Sequence, residues 1–235
     1  PNSATAGQVV YIADIQLEQK AKATPFVVGP NPNDTGTYMG RPANVDFMLH
    51  GNVGTGTSMF DSSPTGLTIT NNNSAVHSAD KSKFEGGSIK FVSASSQELT
   101  TSSTGVINFG TGNWTIDFWF NITNGSTARM HAVSCGGGNT NNLDFNFNDA
   151  SALWLYWNGV GSNNIKFGSD GDYGDGQWHH CAATRYNGMV RVWIDGVHKG
   201  SNNYNSSTAM GQTASIYVGG KGGVYWDGYL DEIRV

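Results

Sequence analysis

The chain has 235 residues, a formal net charge of −5 and only 13% charged residues, but it carries 7 Trp, 9 Tyr and 11 Phe. The negative balance argues against an electrostatic grip on nucleic acid or anionic lipid, and no apolar run approaches the roughly 20 residues of a membrane helix. So many rings argue against disorder, and 32 Gly with abundant Asn and Ser suit tight turns that need φ > 0, so the expectation is a folded, all-β chain.

The chain opens on Pro1-Asn2-Ser3, with no initiator Met and neither the basic region nor the apolar stretch of a secretory signal. Pro1 is therefore expected to be an internal position of a longer polypeptide. Residues 8–17, Gln8-Val9-Val10-Tyr11-Ile12-Ala13-Asp14-Ile15-Gln16-Leu17, alternate apolar and polar from Ala13 onward and predict one half-buried strand. A lone strand is not stable, so it must finish a β module that begins before Pro1 or dock onto a later part of the chain. Residues 29–44 hold Gly29-Pro30-Asn31-Pro32-Asn33-Asp34, Gly36, Gly40 and Pro42, the composition of a linker. The expected division is a terminal strand of a preceding β module at 1–28, a linker at 29–44 and a β-sandwich at 45–235.

From Val45 onward short strand-like runs alternate with Gly/Asn/Ser turns, and no stretch has a convincing helical period. The clearest strands are 87–92, 114–121, 130–135, 153–157, 178–185, 190–194, 215–218 and 229–235, with hairpin punctuation at Tyr186-Asn187-Gly188 and Asp195-Gly196. Many short strands at such spacing predict a sandwich or barrel. In 114–120 Ile116, Phe118 and Phe120 should share a face opposite Asp117 and Trp119. Val190, Val192 and Ile194 should oppose Arg191 and Trp193, and Trp178, His180, Ala182 and Thr184 should lie together. The Asn-rich patches at 71–73, 139–142 and 202–205 read as loops. Cys135 and Cys181 each sit in a predicted strand, and small buried thiols are favoured over a single bridge.

Three collinear stretches resemble the laminin G-like family within the concanavalin A-like lectin/glucanase fold. The first is Phe84-Glu85-Gly86-Gly87-Ser88-Ile89-Lys90-Phe91 with Phe109-Gly110-Thr111-Gly112-Asn113-Trp114-Thr115-Ile116-Asp117-Phe118-Trp119-Phe120. The second is Asp175-Gly176-Gln177-Trp178-His179-His180-Cys181-Ala182-Ala183-Thr184-Arg185 with Val190-Arg191-Val192-Trp193-Ile194-Asp195-Gly196. The third is Ile216-Tyr217-Val218-Gly219-Gly220 with Trp226-Asp227-Gly228-Tyr229-Leu230-Asp231-Glu232-Ile233-Arg234-Val235. The resemblance implies an antiparallel β-sandwich jelly roll over about 45–235. Val45-Asp46-Phe47-Met48-Leu49-His50 resembles versions found in bacteriophage fibre and tail proteins. Ala13-Asp14-Ile15-Gln16-Leu17-Glu18 with Ala23-Thr24-Pro25 is similar to the last strand of phage tail jelly-roll modules.

Related glucanases set catalytic acids on one strand face as Glu-x-Asp-x-x-Glu or Glu-x-Asp-x-Glu. Here the glutamates are Glu18, Glu85, Glu98 and Glu232, and none heads such a motif. The nearest approach, Asp144-Phe145-Asn146-Phe147-Asn148-Asp149, has Asn146 and Asn148 where acids would stand, so no catalysis is expected. The resemblance makes His179-His180 architectural, one ring packed and the other outward. Gly219-Gly220-Lys221-Gly222-Gly223 lacks the Ser/Thr and helix of a phosphate loop and reads as a hairpin loop.

Calcium has two candidate places. Asp170, Asp172 and Asp175 cluster in one loop without the spacing of an EF-hand. The family resemblance points instead to Asp231 as metal ligand, with Gly51 or Asn52 nearby; Asn52 stands where members usually have Asp. Carbohydrate contact would use exposed rings beside amides. The candidates are Trp154 and Tyr156, expected on one face opposite Leu155 and Trp157, together with Tyr204, Tyr225 and Trp226.

The expectation is a non-catalytic recognition module of a phage virion or tail fibre that binds a host-surface carbohydrate or protein. Its other expected partners are virion proteins, with a homotrimer as the form a fibre would take, and neither nucleic acid nor membrane. Alternatives are a purely structural virion domain, or a secreted bacterial carbohydrate-binding module or glycan-active enzyme at the cell surface.

Overall fold

The computed structural model describes residues 10–12, 15–17, 45–51, 56–84, 86–102, 107, 109–122, 130–136, 143–148, 152–157, 164–166, 168, 173–203 and 215–235. In chain order its strands are β1 (Val10–Ile12), β2 (Ile15–Leu17), β3 (Met48–Leu49), β4 (Ile69–Asn72), β5 (Val76–Ser78), β6 (Ser88–Phe91), β7 (Glu98–Thr101), β8 (Trp114–Asn121), β9 (Met130–Cys135) and β10 (Leu143–Asn148). Then come β11 (Ala152–Trp157), β12 (Asn164–Lys166), β13 (Trp178–Tyr186), β14 (Met189–Ile194), β15 (Val197–Asn203), β16 (Ile216–Val218), β17 (Gly220–Lys221), β18 (Val224–Tyr225) and β19 (Gly228–Arg234).

Among the described residues two antiparallel sheets carry the body. One runs β12-β11-β10-β9-β16-β7-β4, and the other β15-β14-β13-β8-β19-β6-β5 with β3 alongside β19. Their inner faces follow the period-two alternation of the sequence. Ile116, Phe118 and Phe120 of β8, Cys181 and Ala183 of β13, and Val190, Val192 and Ile194 of β14 are buried from one sheet. Leu143, Phe145 and Phe147 of β10 and Leu153, Leu155 and Trp157 of β11 meet them from the other. Ring edges cross the midline: Phe118 meets Phe145 at 5.2 Å and 87°, and Phe120 meets Phe147 at 5.5 Å and 72°. Each such ring contributes about 1.5–3 kcal/mol by leaving water, and the T-shaped contacts add to that. The expected β-sandwich jelly roll is the observed fold.

Several local readings change. The amino-terminal run is not one strand; β1 and β2 pair antiparallel, Ile12 opposite Ile15. The expected linker at 29–44 lies outside the described residues. Two Asn-rich patches are strands at the sheet margins: Asn71 and Asn72 lie in β4, Asn202 and Asn203 in β15. Low β-propensity is tolerated there because the amides find partners. Asn71 donates to the carbonyls of Thr57 and Ala75, both at 2.7 Å, and Asn202 donates to Asn164. The patch at 139–142 lies outside the described residues. Cys135 and Cys181 are free and buried, one in each sheet, and burial pushes both thiols up.

Candidate functional site

The outer face of the sheet holding β9–β12 gathers what an apolar core cannot use. With Leu153, Leu155 and Trp157 pointing inward, Trp154 and Tyr156 stand outward, half-buried, with ring centroids 5.4 Å apart and planes 16° from parallel. The Lys166 ammonium lies 5.7 Å from the Trp154 ring. Across the strands Tyr156 faces Asp144, and Trp154 faces Asn146. Asp144 in turn faces Ser134, which faces Tyr217. The row therefore runs aromatic, carboxylate, hydroxyl, aromatic.

A small hairpin completes it. β17 and β18 turn through Gly222-Gly223, the loop expected in the sequence, and lay Lys221 onto this face. Its Nζ donates to Asp144 Oδ1 at 2.8 Å and lies 5.7 Å from the Tyr217 ring. Tyr225, half-buried, covers Gly220, where any Cβ would come within 2.7 Å of its ring. Sequence reasoning misses Lys221 as a partner of Asp144; the two are 77 residues apart, and no local pattern links them. Alternation within 215–218 would have placed Tyr217 outward.

Trp226 requires a correction. Rather than lying exposed beside a loop, it is 0% exposed and packs edge-on against Phe147 at 5.0 Å and Phe120 at 6.2 Å. It is a core residue, drawn in because the hairpin before it folds back so that the backbone N–H of Trp226 donates to the Gly219 carbonyl. Tyr204 lies outside the described residues.

Among the described residues the acids on this face are too far apart for glycosidic chemistry. Asp144 is 5% exposed and paired to Lys221. The other carboxylate of this sheet's described strands is Glu98 on β7, three strands away, which at the usual spacing is about 14 Å. Partial burial raises Glu98, with an opposing hydrogen bond from Asn72. Retaining glycosidases need about 5 Å between their carboxyls and inverting ones about 6.5–9.5 Å. Next to Asp144 on the same strand face, Asn146 is fully enclosed, and neither its Oδ1 nor its Nδ2 has a partner.

On the opposite sheet the histidine pair divides as the resemblance implies. His179 packs on Phe120 at 5.5 Å, with Nδ1 against Asp195 (2.8 Å) and Nε2 against Asp175 (3.1 Å). Its neighbour His180 faces outward, 5.0 Å from the Trp119 ring and 3.3 Å from Asp117 Oδ1. Asp170 and Asp172 lie outside the described residues, and Asp175 is engaged with His179 and the Gln177 N–H.

Asp231 sits where the strand β19 meets the turn after β3. Its Oδ1 accepts the N–H groups of Gly51 and Glu232, both at 2.9 Å, while Oδ2 is buried without a partner. Burial, aided by repulsion from Glu232, pushes its pKa up to about 7. Gly51 can only be glycine here, since a Cβ would stand 2.4 Å from Ser88 Cα. An orphaned hard oxygen of this kind fits a hard cation. Among the described residues no three His, Cys, Asp or Glu side chains converge, so backbone and amide oxygens would have to supply the remaining ligands. Asn52 lies outside the described residues.

The same fold occurs in solved binding domains of other proteins. The botulinum neurotoxin serotype D ligand-binding domain, solved with N-acetylneuraminic acid, aligns at TM-score 0.59 and 10% identity over 82% of this chain and 48% of its own. The botulinum neurotoxin DC binding domain, solved with rat synaptotagmin II, aligns at TM-score 0.63 and 11% identity over 81% and 47%. Domain 4 of the extracellular arabinanase AbnA from Geobacillus stearothermophilus, solved with arabinotriose, aligns at TM-score 0.54 and 20% identity over 81% and 90%. The chain thus spans about half the length of the toxin domains, and these likenesses establish the fold alone. No curated protein matches the sequence. Residues 93–235, more than half of the chain, match the family described as the concanavalin A-like lectin/glucanases superfamily, and the chain belongs to that family.

Proposed function

We propose that this domain is a non-catalytic recognition module that binds a cell-surface glycan through the outer face of the sheet β9–β12, and that it serves on a phage fibre. The observation that carries the reading is the parallel Trp154–Tyr156 pair beside an Asp144 carboxylate already neutralised by Lys221. Sugar rings present apolar C–H faces and a rim of hydroxyls. Stacked aromatics supply the apolar contact at low entropic cost, and a fixed carboxylate–ammonium pair offers both acceptor and donor to the hydroxyls. A general acid would need a second carboxyl on the far side of the scissile bond, and the described neighbours of Asp144 on this face are an amide, a hydroxyl and a phenol instead. The glycan and protein ligands of the fold's neighbours support recognition as the task. The fibre setting is supported by the resemblance of Ala13–Glu18 to phage tail modules.

Calcium, where bound, would be held by Asp231 and the Gly51 carbonyl with Asn52. It would supply positive charge to a buried carboxylate and tie the first strand of the body to the last. It would take no part in ligand chemistry.

The test is an immobilised glycan panel probed with the protein and with a W154A/Y156A double variant. The wild type is expected to retain at least one glycan without releasing product, and the variant to lose about tenfold or more in affinity, about 1.4 kcal/mol. Absence of binding across the panel, or product release that D144N abolishes, would overturn the reading.

A further inference from the structure

The outer face of the other sheet carries a groove of about 750 Å³ that the proposed glycan face does not use. It arises where small residues meet: Thr184 of β13 lies directly opposite Thr115 of β8, so the surface drops between taller neighbours. Tyr186, 60% exposed, forms one wall at the end of β13. Arg234 of β19 and the Val45-Asp46 segment form the other. Asn113 closes the end, its Oδ1 accepting the Asn187 N–H at 3.1 Å, which fixes the turn after Tyr186.

The polar groups along the floor are held in place. Arg234 donates to Asp117 Oδ1 from both Nε (3.0 Å) and Nη2 (2.6 Å), and the two residues are cross-strand partners. Asp46 and Asp117 balance Arg185 and Arg234 along the lining, so the groove has no net sign with which to select an anion or a cation. Two carboxylates, two guanidinium groups, two hydroxyls and an amide line the groove beside one exposed ring, a set suited to hydroxyl-rich ligands. The volume falls within the roughly 300–1,000 Å³ of small-molecule sites. An extended peptide is disfavoured, because β13 and β8 are interior strands paired on both sides, leaving no backbone edge for strand addition.

We propose that this groove is a second carbohydrate site, taking the end of a neutral oligosaccharide with a sugar ring against Tyr186 and its hydroxyls on Thr115, Thr184, Asp117 and Arg234. The two sites occupy opposite outer faces of the sandwich. One domain therefore bridges two glycan strands, and a surface dense in them gains avidity without any new contact.

The probe is a set of soluble neutral trisaccharides of glucose, galactose, arabinose and N-acetylglucosamine, titrated calorimetrically to about 1 mM. A chain stripped of the first site by W154A and Y156A is expected to take up one trisaccharide, and adding Y186A to weaken that uptake about tenfold. Tyr186 is mostly exposed, so its loss leaves the fold intact. Thr184→Val, which keeps the side-chain shape, serves as the second variant and is expected to weaken uptake about threefold or more. Uptake that neither variant changes, or no uptake by the stripped chain, overturns the proposal. Wild-type binding that ignores W154A/Y156A but falls with Y186A sinks the first site and leaves the groove standing. Binding that falls with W154A/Y156A alone does the reverse.

Discussion

Replacing Asp231 by Asn should change the pH dependence of stability in a defined direction. In EDTA the Asp231 carboxyl titrates near 7 in the folded protein, raised by burial and then by Glu232, against 3.8 for the ordinary group. Below pH 3.8 both states hold the proton, and the carboxyl takes nothing from stability. Between these values the folded protein keeps a proton that the unfolded chain has released, so stability falls as pH rises and levels off above about 7. The gap corresponds to about 4 kcal/mol, or roughly 10 °C in Tm for a domain of this size. Asn keeps the oxygen that accepts the Gly51 and Glu232 N–H groups but cannot ionise. D231N should therefore match the wild type near pH 4 and exceed it by up to about 4 kcal/mol at about pH 8. Urea melts of both proteins from about pH 4 to 9 give the difference profile, in which titrating groups remote from Asp231 cancel. Parallel profiles would refute the argument. With calcium in place of EDTA, the wild type should recover stability at about pH 8 and D231N should not. An equal response of the two would remove the cation from Asp231.

Two further substitutions probe the scaffold. Gly228→Ala meets a backbone φ of +143° and would place its Cβ 2.3 Å from the Asn121 carbonyl. The strain alone is about 1–3 kcal/mol, and with the clash the loss should exceed about 3 kcal/mol by chemical denaturation; a loss below about 1 kcal/mol would contradict the packing of β19 on β8. Lys221→Met removes the ammonium from a carboxylate that is 5% exposed. It should cost about 3 kcal/mol, the low end for breaking a buried pair, because Asp144 keeps a further interaction. Adding D144N should return most of that loss, and a double variant no better than K221M would show that the pair is not coupled.

Fold and faces are legible wherever alternation is strict. β8 begins and ends where the sequence predicts, because Ile116, Phe118 and Phe120 repeat every second residue, and a strand has that period. The outward placement of Trp154 and Tyr156 comes from the same rule. Weak or short strands are not legible: β4, β5, β7, β12 and β15 have too few apolar positions to stand out, and pairing with neighbouring strands of the two sheets holds them in place. Asn71 reads as a loop residue for that reason, although it lies in β4, where its side chain donates to the Thr57 and Ala75 carbonyls and accepts the Ala75 N–H, closing the turn that follows.

By itself the sequence determined that the chain is all-β with alternating strand faces and that the Asp144–Asn148 run lacks paired acids; its motifs resembled this family, and it favoured buried thiols over a bridge. The strand faces and the missing acids come from composition, period and residue identity, which are local. Only the tertiary structure decided that Lys221 neutralises Asp144, that Trp226 belongs to the core rather than the surface, and that Thr115 and Thr184 open a groove beneath Tyr186. Each depends on which strands become neighbours. That is set by the burial of all the inner-face residues together, and it leaves no mark on any one segment.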